Sequence, residues 1–296
     1  MKGKFSEFDI ESFHSELDDI QKHIEMLFEI EGSLSDNRKE HRKFSAKINL
    51  DFKIIEYAYK LYRPSSIIEI YTFVENLVKT YVYSILGADN TDVIQKFIEK
   101  KLPQKRFVPG TKIKEIEKAV KSYTPRSDDL EFFIKKFKYD DCVKTFDNLI
   151  EARHRYAHRG ESDISYNEEE YKEIISVLYY LNDELCFCLT DFESRKQLQK
   201  SIYEILKKLK GLNKTIEKRG FSNICKKIRE EAYKGIRALE TSKIDFKSDI
   251  YKNIHEDLKL LYDLDLRRTV EHNQLKIEKG LIVFNRVFND VQLVSE

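Results

Sequence analysis

The sequence predicts an all-α protein, a helical bundle with an additional helical region at its carboxyl end. Only 9 Gly and 4 Pro punctuate 296 residues, too few for the turns of a many-stranded fold. Hydrophobic residues make up 41% of the chain, enough for a sizeable core. At this length a single core nears its upper limit, so two unequal parts are expected. Those hydrophobic residues also recur at spacings of three and four, the period of helices with one buried face.

The first predicted helix spans Phe8 to about Ile30, where Ile10, Phe13, Leu17, Ile20, Ile24 and Leu27 fall on one face. A second runs from about Phe44 to Tyr62 and is stopped by Pro64-Ser65-Ser66. The third, Ser66 to Leu86 with Gly87 after it, has one polar stripe of Glu69, Thr72, Asn76 and Lys79, with Thr80 at its edge, and is mostly apolar elsewhere, which makes it a central helix. Between about 100 and 126, three prolines and the eight Lys or Arg from Lys100 to Lys121 predict a basic, loop-rich insertion around a short helix, Lys112 to Ser122. Helices are expected again at Asp129 to Phe137, at Asp141 to Arg159 before Gly160, and from Asn167 to Leu189, with an extension toward Leu209. Further helices with breaks at Gly211 and Gly220 complete the chain, and 275–284 fits either a helix or a hairpin around Lys279-Gly280.

Cys142, Cys186, Cys188 and Cys225 have neither CxxC spacing nor the density of a disulfide scaffold, so buried reduced thiols are expected. The amino terminus has no signal-like apolar run, and no later stretch approaches the length of a membrane helix. A cytoplasmic protein without a membrane partner is the expectation. The net charge of +1 is an average: residues 1–195 carry 31 basic and 37 acidic side chains, residues 196–296 carry 22 and 15. A division near 195 follows, with a mildly acidic amino-terminal domain and a basic helical carboxyl-terminal region. Between Lys196 and Arg229, eleven Lys or Arg stand against Glu204 and Glu217, a stretch suited either to a phosphate backbone or to a solvated helix face.

The most informative segment is Ile150-Glu151-Ala152-Arg153-His154-Arg155-Tyr156-Ala157-His158-Arg159-Gly160. Arg153 and His158 are separated by four residues, as are Arg267 and His272. Helix geometry separates the two pairs. With Val143 at 0° and a turn of about 100° per residue, Arg153 lies at about 280°, within the arc of Leu149, Phe146 and Ile150 from about 240° to 340°. A guanidinium aimed at a core or an interface is costly unless an acceptor meets it. Arg267 lies in no such stripe and has acidic neighbours.

The Arg153 to Gly160 segment, followed by a helix from about Asn167 and preceded by the central helix with Ile70 to Lys79, resembles the HEPN superfamily of small helical domains. The likeness covers about residues 8–190 and is nearest to bacterial members associated with toxin–antitoxin and phage-defence loci. His154 stands where those proteins more usually carry Asn, and Arg159 separates His158 from the glycine. The resemblance implies a metal-independent, cofactor-free endoribonuclease, often with a site shared by two protomers, in which Arg153 and His158 are catalytic. RNA, a second copy of the chain and an antitoxin or defence protein are the partners it implies. The alternative from a different class is a non-catalytic HEPN-like module that binds RNA or protein.

These residue types suit such chemistry. An imidazole with an ordinary pKa near 6.5 exchanges protons at neutral pH, and a guanidinium stabilises charge on phosphate oxygens. His154 is a candidate helper, and Arg155 and Arg159 are candidate phosphate ligands. Tyr156 can stack on a base or pack on the apolar face. Glu75 can orient Arg153 or His158, or can pair with Lys79 one turn on. A metal at His154 and His158 is disfavoured by the adjacent arginines and the absence of an HExxH-type glutamate. A helix end with cations complementing its dipole remains the plain structural account of the cluster.

Overall fold

The computed structural model describes residues 8–62, 64–87, 109–124, 127–137, 139–159, 166–212, 218–264, 281 and 283–284. Among them are ten α-helices, one 3-10 turn and no strand, so the chain adopts the all-α class. It packs as two units: Met1–Ala119 with Cys142–Asn182, and Val120–Asp141 with Asp183–Glu296. The division therefore falls at 182–183 and assigns 120–141 to the second unit, whereas the shift in charge suggested 195.

The first unit begins with α1 (Ile10–Asp36), whose amino end is capped by Asp9; its carboxylate accepts the N–H groups of Glu11 and Ser12 at 3.1 and 3.2 Å. The predicted second helix is in fact two, α2 (Arg38–Lys47) and α3 (Phe52–Tyr62). Asn49 takes a left-handed φ of 53° between them, and the Asp51 carboxylate accepts the Lys53 N–H at 2.9 Å to restart the helix. The Tyr59 hydroxyl donates to the Leu27 carbonyl at 2.9 Å and so fastens α3 to α1.

Helix α4 (Ser65–Gly87) is central as expected: Ile70, Phe73, Val74, Leu77, Val78 and Tyr81 are fully enclosed. Phe13 of α1 meets the edge of Phe73, and Ser66 shares a buried 2.7 Å hydrogen bond with Tyr171 of α7 (Glu168–Thr190). Helix α5 (Ile113–Tyr123) matches the short helix expected within the basic, loop-rich stretch. Pro109, Thr111, Ile113 and Ile116 are buried while Lys114, Glu115 and Lys118 are exposed, so the helix presents one face to the core; 100–108 and 125–126 lie outside the described residues. Gly110 suits the approach to α5, because a Cβ there would stand 2.5 Å from the Glu115 Cβ.

In the second unit the segment 129–137 is not the predicted helix. It runs extended into a single 3-10 turn, Phe133–Lys135, with Leu130, Phe132, Phe133, Ile134 and Phe137 all buried. Its backbone is satisfied by side chains of α8 (Phe192–Leu212): Gln199 accepts the Glu131 N–H at 3.0 Å and donates to the Asp129 carbonyl at 2.7 Å. These contacts outweigh local helix propensity. Asp191 separates α7 from α8 and accepts the Ser194 N–H at 3.1 Å, so the helix expected to extend toward Leu209 is interrupted there.

Helices α9 (Lys218–Thr241) and α10 (Asp249–Tyr262) complete the unit. Gly211 lies in the last turn of α8 and Gly220 in the first turn of α9, so the expected breaks fall within two residues of the helix ends. At Gly235 a Cβ would lie 2.9 Å from Leu258 Cδ1, which shows how closely α9 and α10 approach. Of the ambiguous segment 275–284, Leu281, Val283 and Phe284 are described and buried; the remainder, and the Arg267–His272 pair, lie outside the described residues. Cys186, Cys188 and Cys225 are buried free thiols and Cys142 is half-buried. Burial pushes Cys186 and Cys225 up to about 11.

Candidate functional site

Helix α6 (Asp140–Arg159) carries the motif, and within the first unit it is held from two sides. Its Asp147 carboxylate accepts the Ile113 N–H at 3.1 Å, taking the place of a cap on α5, whose own Glu115 folds back onto the Lys112 N–H at 3.2 Å. Burial, only partly offset by that hydrogen bond, raises the Asp147 pKa above its ordinary value. One turn further along, Lys112 pairs with Glu151 and holds that exposed carboxyl below its ordinary range. Towards α7, the Thr145 hydroxyl donates to Glu173 at 2.7 Å. Phe146, Leu149, Ile150 and Ala152 form the buried face of α6.

Arg153 lies on that face, as the helical geometry requires, and is half-buried near the end of the helix. What meets it is a ring and not a carboxylate. Its guanidinium carbon lies 4.1 Å from the centroid of Tyr71 on α4, a cation–π contact, and the His154 ring packs against the same tyrosine at 5.8 Å and 76°. Among the described residues no carboxylate forms an ion pair with Arg153. A ring face stabilises the cation without consuming its N–H donors, so those donors remain able to bind an anion. Tyr71 is the partner of Arg153 that the sequence pattern did not single out. It is buried on the same helix as Glu75, one turn earlier.

The other candidates are distributed as follows. Glu75 is half-buried and pairs with Lys79, so the i, i+4 alternative is the one found, and Glu75 does not pair with Arg153. His154 and Arg155 are exposed and Tyr156 is half-buried. Arg155 bears electrostatically on Tyr166, whose hydroxyl is nevertheless pushed up to about 12, first by burial and then by Tyr171. The backbones of His158 and Arg159 belong to the last turn of α6, but their side chains and Gly160 lie outside the described residues. By helical register His154 and His158 are about 40° apart around the axis, while Arg153 and His158 are about 140° apart. Among the described residues no three His, Cys, Asp or Glu side chains gather as a metal ion would need.

The second unit contains a polar cluster that went unnoticed in the sequence. Arg195 and Glu184 are completely buried and paired, with Nε and Nη2 at 2.8 and 2.7 Å from one carboxylate oxygen. The Tyr251 hydroxyl donates to the other oxygen at 2.5 Å. Arg195 also donates to the Glu131 carbonyl at 2.9 Å and to Gln199 at 3.3 Å, and its guanidinium carbon lies 3.7 Å from the Phe133 ring centroid. Cys188 adjoins Glu184, and burial together with that carboxylate raises its pKa well above the ordinary thiol value. With no solvent access, this cluster holds structure together. Its signal was present: Asn182-Asp183-Glu184, within the largely apolar run from Ile174 to Leu189, cannot all share one solvated face. No protein-family model matches the chain, and no curated protein or solved structure shows significant similarity to it.

Proposed function

We propose that the chain is a metal-independent endoribonuclease of HEPN type, acting on RNA in the cytoplasm as a toxin or antiphage effector. The observation that carries this reading is Arg153: an arginine on the core-facing side of α6, held by the Tyr71 ring, with no protein carboxylate to neutralise it among the described residues. In the proposed reaction an RNA 2′-hydroxyl attacks the adjacent phosphorus and the bond to the 5′-oxygen breaks. One imidazole takes the hydroxyl proton and another supplies a proton to the leaving oxygen. Arg153 stabilises charge on the phosphate oxygens, and Arg155 and Arg159 add contacts to the backbone. The products carry a 2′,3′-cyclic phosphate and a 5′-hydroxyl.

One His158 per chain supplies a base or an acid but not both. A homodimer that brings two copies together meets this need, and the wide angular separation of Arg153 and His158 on one helix favours the same arrangement. An antitoxin or other defence-system protein would restrain the activity. The experiment is to incubate total RNA with the full chain in EDTA and sequence the ends, expecting cyclic phosphates from the wild type and none from His158→Ala. Undiminished cleavage by that variant removes His158 from the mechanism. The second reading, a non-catalytic RNA- or protein-binding module, is favoured by the same cation–π contact, because a structural anchor would account for Arg153 on its own. Tight RNA binding without cleavage of any RNA class would establish it.

A further inference from the structure

We propose that the α2–α3 hairpin of the first unit is a docking surface for an anionic lipid bilayer. Phe44, Ile48, Leu50, Ile54 and Tyr57 are all exposed within fourteen residues, Phe44 at 59% and Tyr57 at 63%. Helix α3 is apolar on both sides: Phe52 is buried and Tyr59 is bonded to α1, while Ile54 and Tyr57, three residues apart, face solvent. A helix apolar on opposite faces is ordinarily covered on both. Nothing among the described residues covers the outer one.

The charges on the same hairpin identify the occupant. Lys39, Arg42, Lys43, Lys47 and Lys53 are exposed and make no ion pair among the described residues. Glu56 pairs with Arg38 at 2.9 Å, which leaves two acids, Glu40 and Asp51, against these five cations on the hairpin. A second copy meeting this surface about a two-fold axis would bring these cations together, which is unfavourable. Nucleic acid would satisfy the charges and find rings in Phe44 and Tyr57, yet it would leave the exposed aliphatic side chains of Ile48, Leu50 and Ile54 uncovered. A bilayer with acidic headgroups takes both: the aliphatic and aromatic side chains enter the headgroup–acyl boundary and the cations meet the phosphates and carboxylates. No described helix is long and apolar enough to cross a membrane, but lying on a leaflet needs no such helix.

The chain contains no Trp, so Phe44→Trp and Tyr57→Trp each introduce a single fluorophore at an exposed position. In the full-length chain both are expected to shift to the blue, and the protein to sediment, with phosphatidylcholine vesicles containing phosphatidylserine and not with phosphatidylcholine alone. Added salt should weaken the binding. Lys43→Glu with Lys47→Glu, and separately Ile54→Ser with Tyr57→Ser, should each lower vesicle affinity at least about tenfold while circular dichroism stays unchanged. The proposal is overturned by silence of both fluorophores with anionic vesicles, or by binding that neither double variant weakens. A blue shift that instead follows protein concentration identifies a second copy, and one that requires added RNA identifies nucleic acid; either also overturns it. These measurements do not depend on RNA cleavage, so the lipid surface and the nuclease stand or fall separately.

Discussion

Glu184→Ala is expected to destabilise the protein by about 3–5 kcal/mol, the usual consequence of removing one partner from a buried ion pair, measured as a shift of the urea midpoint. The size follows from what remains. Arg195, fully buried, would keep the Glu131 carbonyl, Gln199 and the Phe133 ring but lose the carboxylate that pairs with both its Nε and Nη2. Tyr251 would lose its acceptor in the middle of an aromatic group, stacked on Phe246 at 4.4 Å and edge-on to Phe133 and Phe187. The double variant Glu184→Leu with Arg195→Met should recover much of the loss, because an apolar pair of similar volume removes both desolvation costs. Equal destabilisation by the single and double changes would show that the surrounding hydrogen bonds, and not the unpaired charge, set the cost.

Arg153→Ala is expected to lower RNA cleavage about 10²- to 10³-fold, the range for removing one donor that stabilises charge in a transition state, and to lose no more stability than the Tyr71 contact accounts for, about 0.5–2 kcal/mol. Arg153→Lys keeps the charge but loses the planar fork, and should fall between the two. Tyr71 separates positioning from chemistry. Tyr71→Phe retains the ring face 4.1 Å from the guanidinium and should retain activity. Tyr71→Leu removes a contact worth about 0.5–2 kcal/mol and should reduce cleavage by less than Arg153→Ala does. Should Arg153→Ala cleave normally while melting earlier, the arginine is an anchor and the proposed mechanism fails.

The helices that were legible in the sequence are those whose stability comes from one continuous apolar face: α1, α4 and α6 show the helical period without interruption. The split between α2 and α3 was not, because Asn49 and Asp51 read as ordinary polar residues of an amphipathic helix until the left-handed φ and the cap are seen. Residues 129–137 misled for a different reason. Their apolar content is that of a buried helix, but their backbone is claimed by Gln199 and Arg195, about 65 residues further along the chain. At the candidate site the core-facing position of Arg153 followed from its own helix. Its partner Tyr71 did not, since no periodicity within one helix states which neighbour it packs against. The cluster of Arg195 and Glu184 was hidden likewise, its members being eleven residues apart on two helices.

The buried carboxylate of Asp257 in α10 accepts the N–H groups of Val283 and Phe284 at 2.7 and 3.3 Å, and Phe284 packs edge-on against Phe137. The chain therefore has a length below which its second unit is incomplete. A stop codon at position 282 takes both of these donors away from a buried carboxylate and opens the space that an aromatic ring had filled, a defect that a cellular protease would register as an unfolded end.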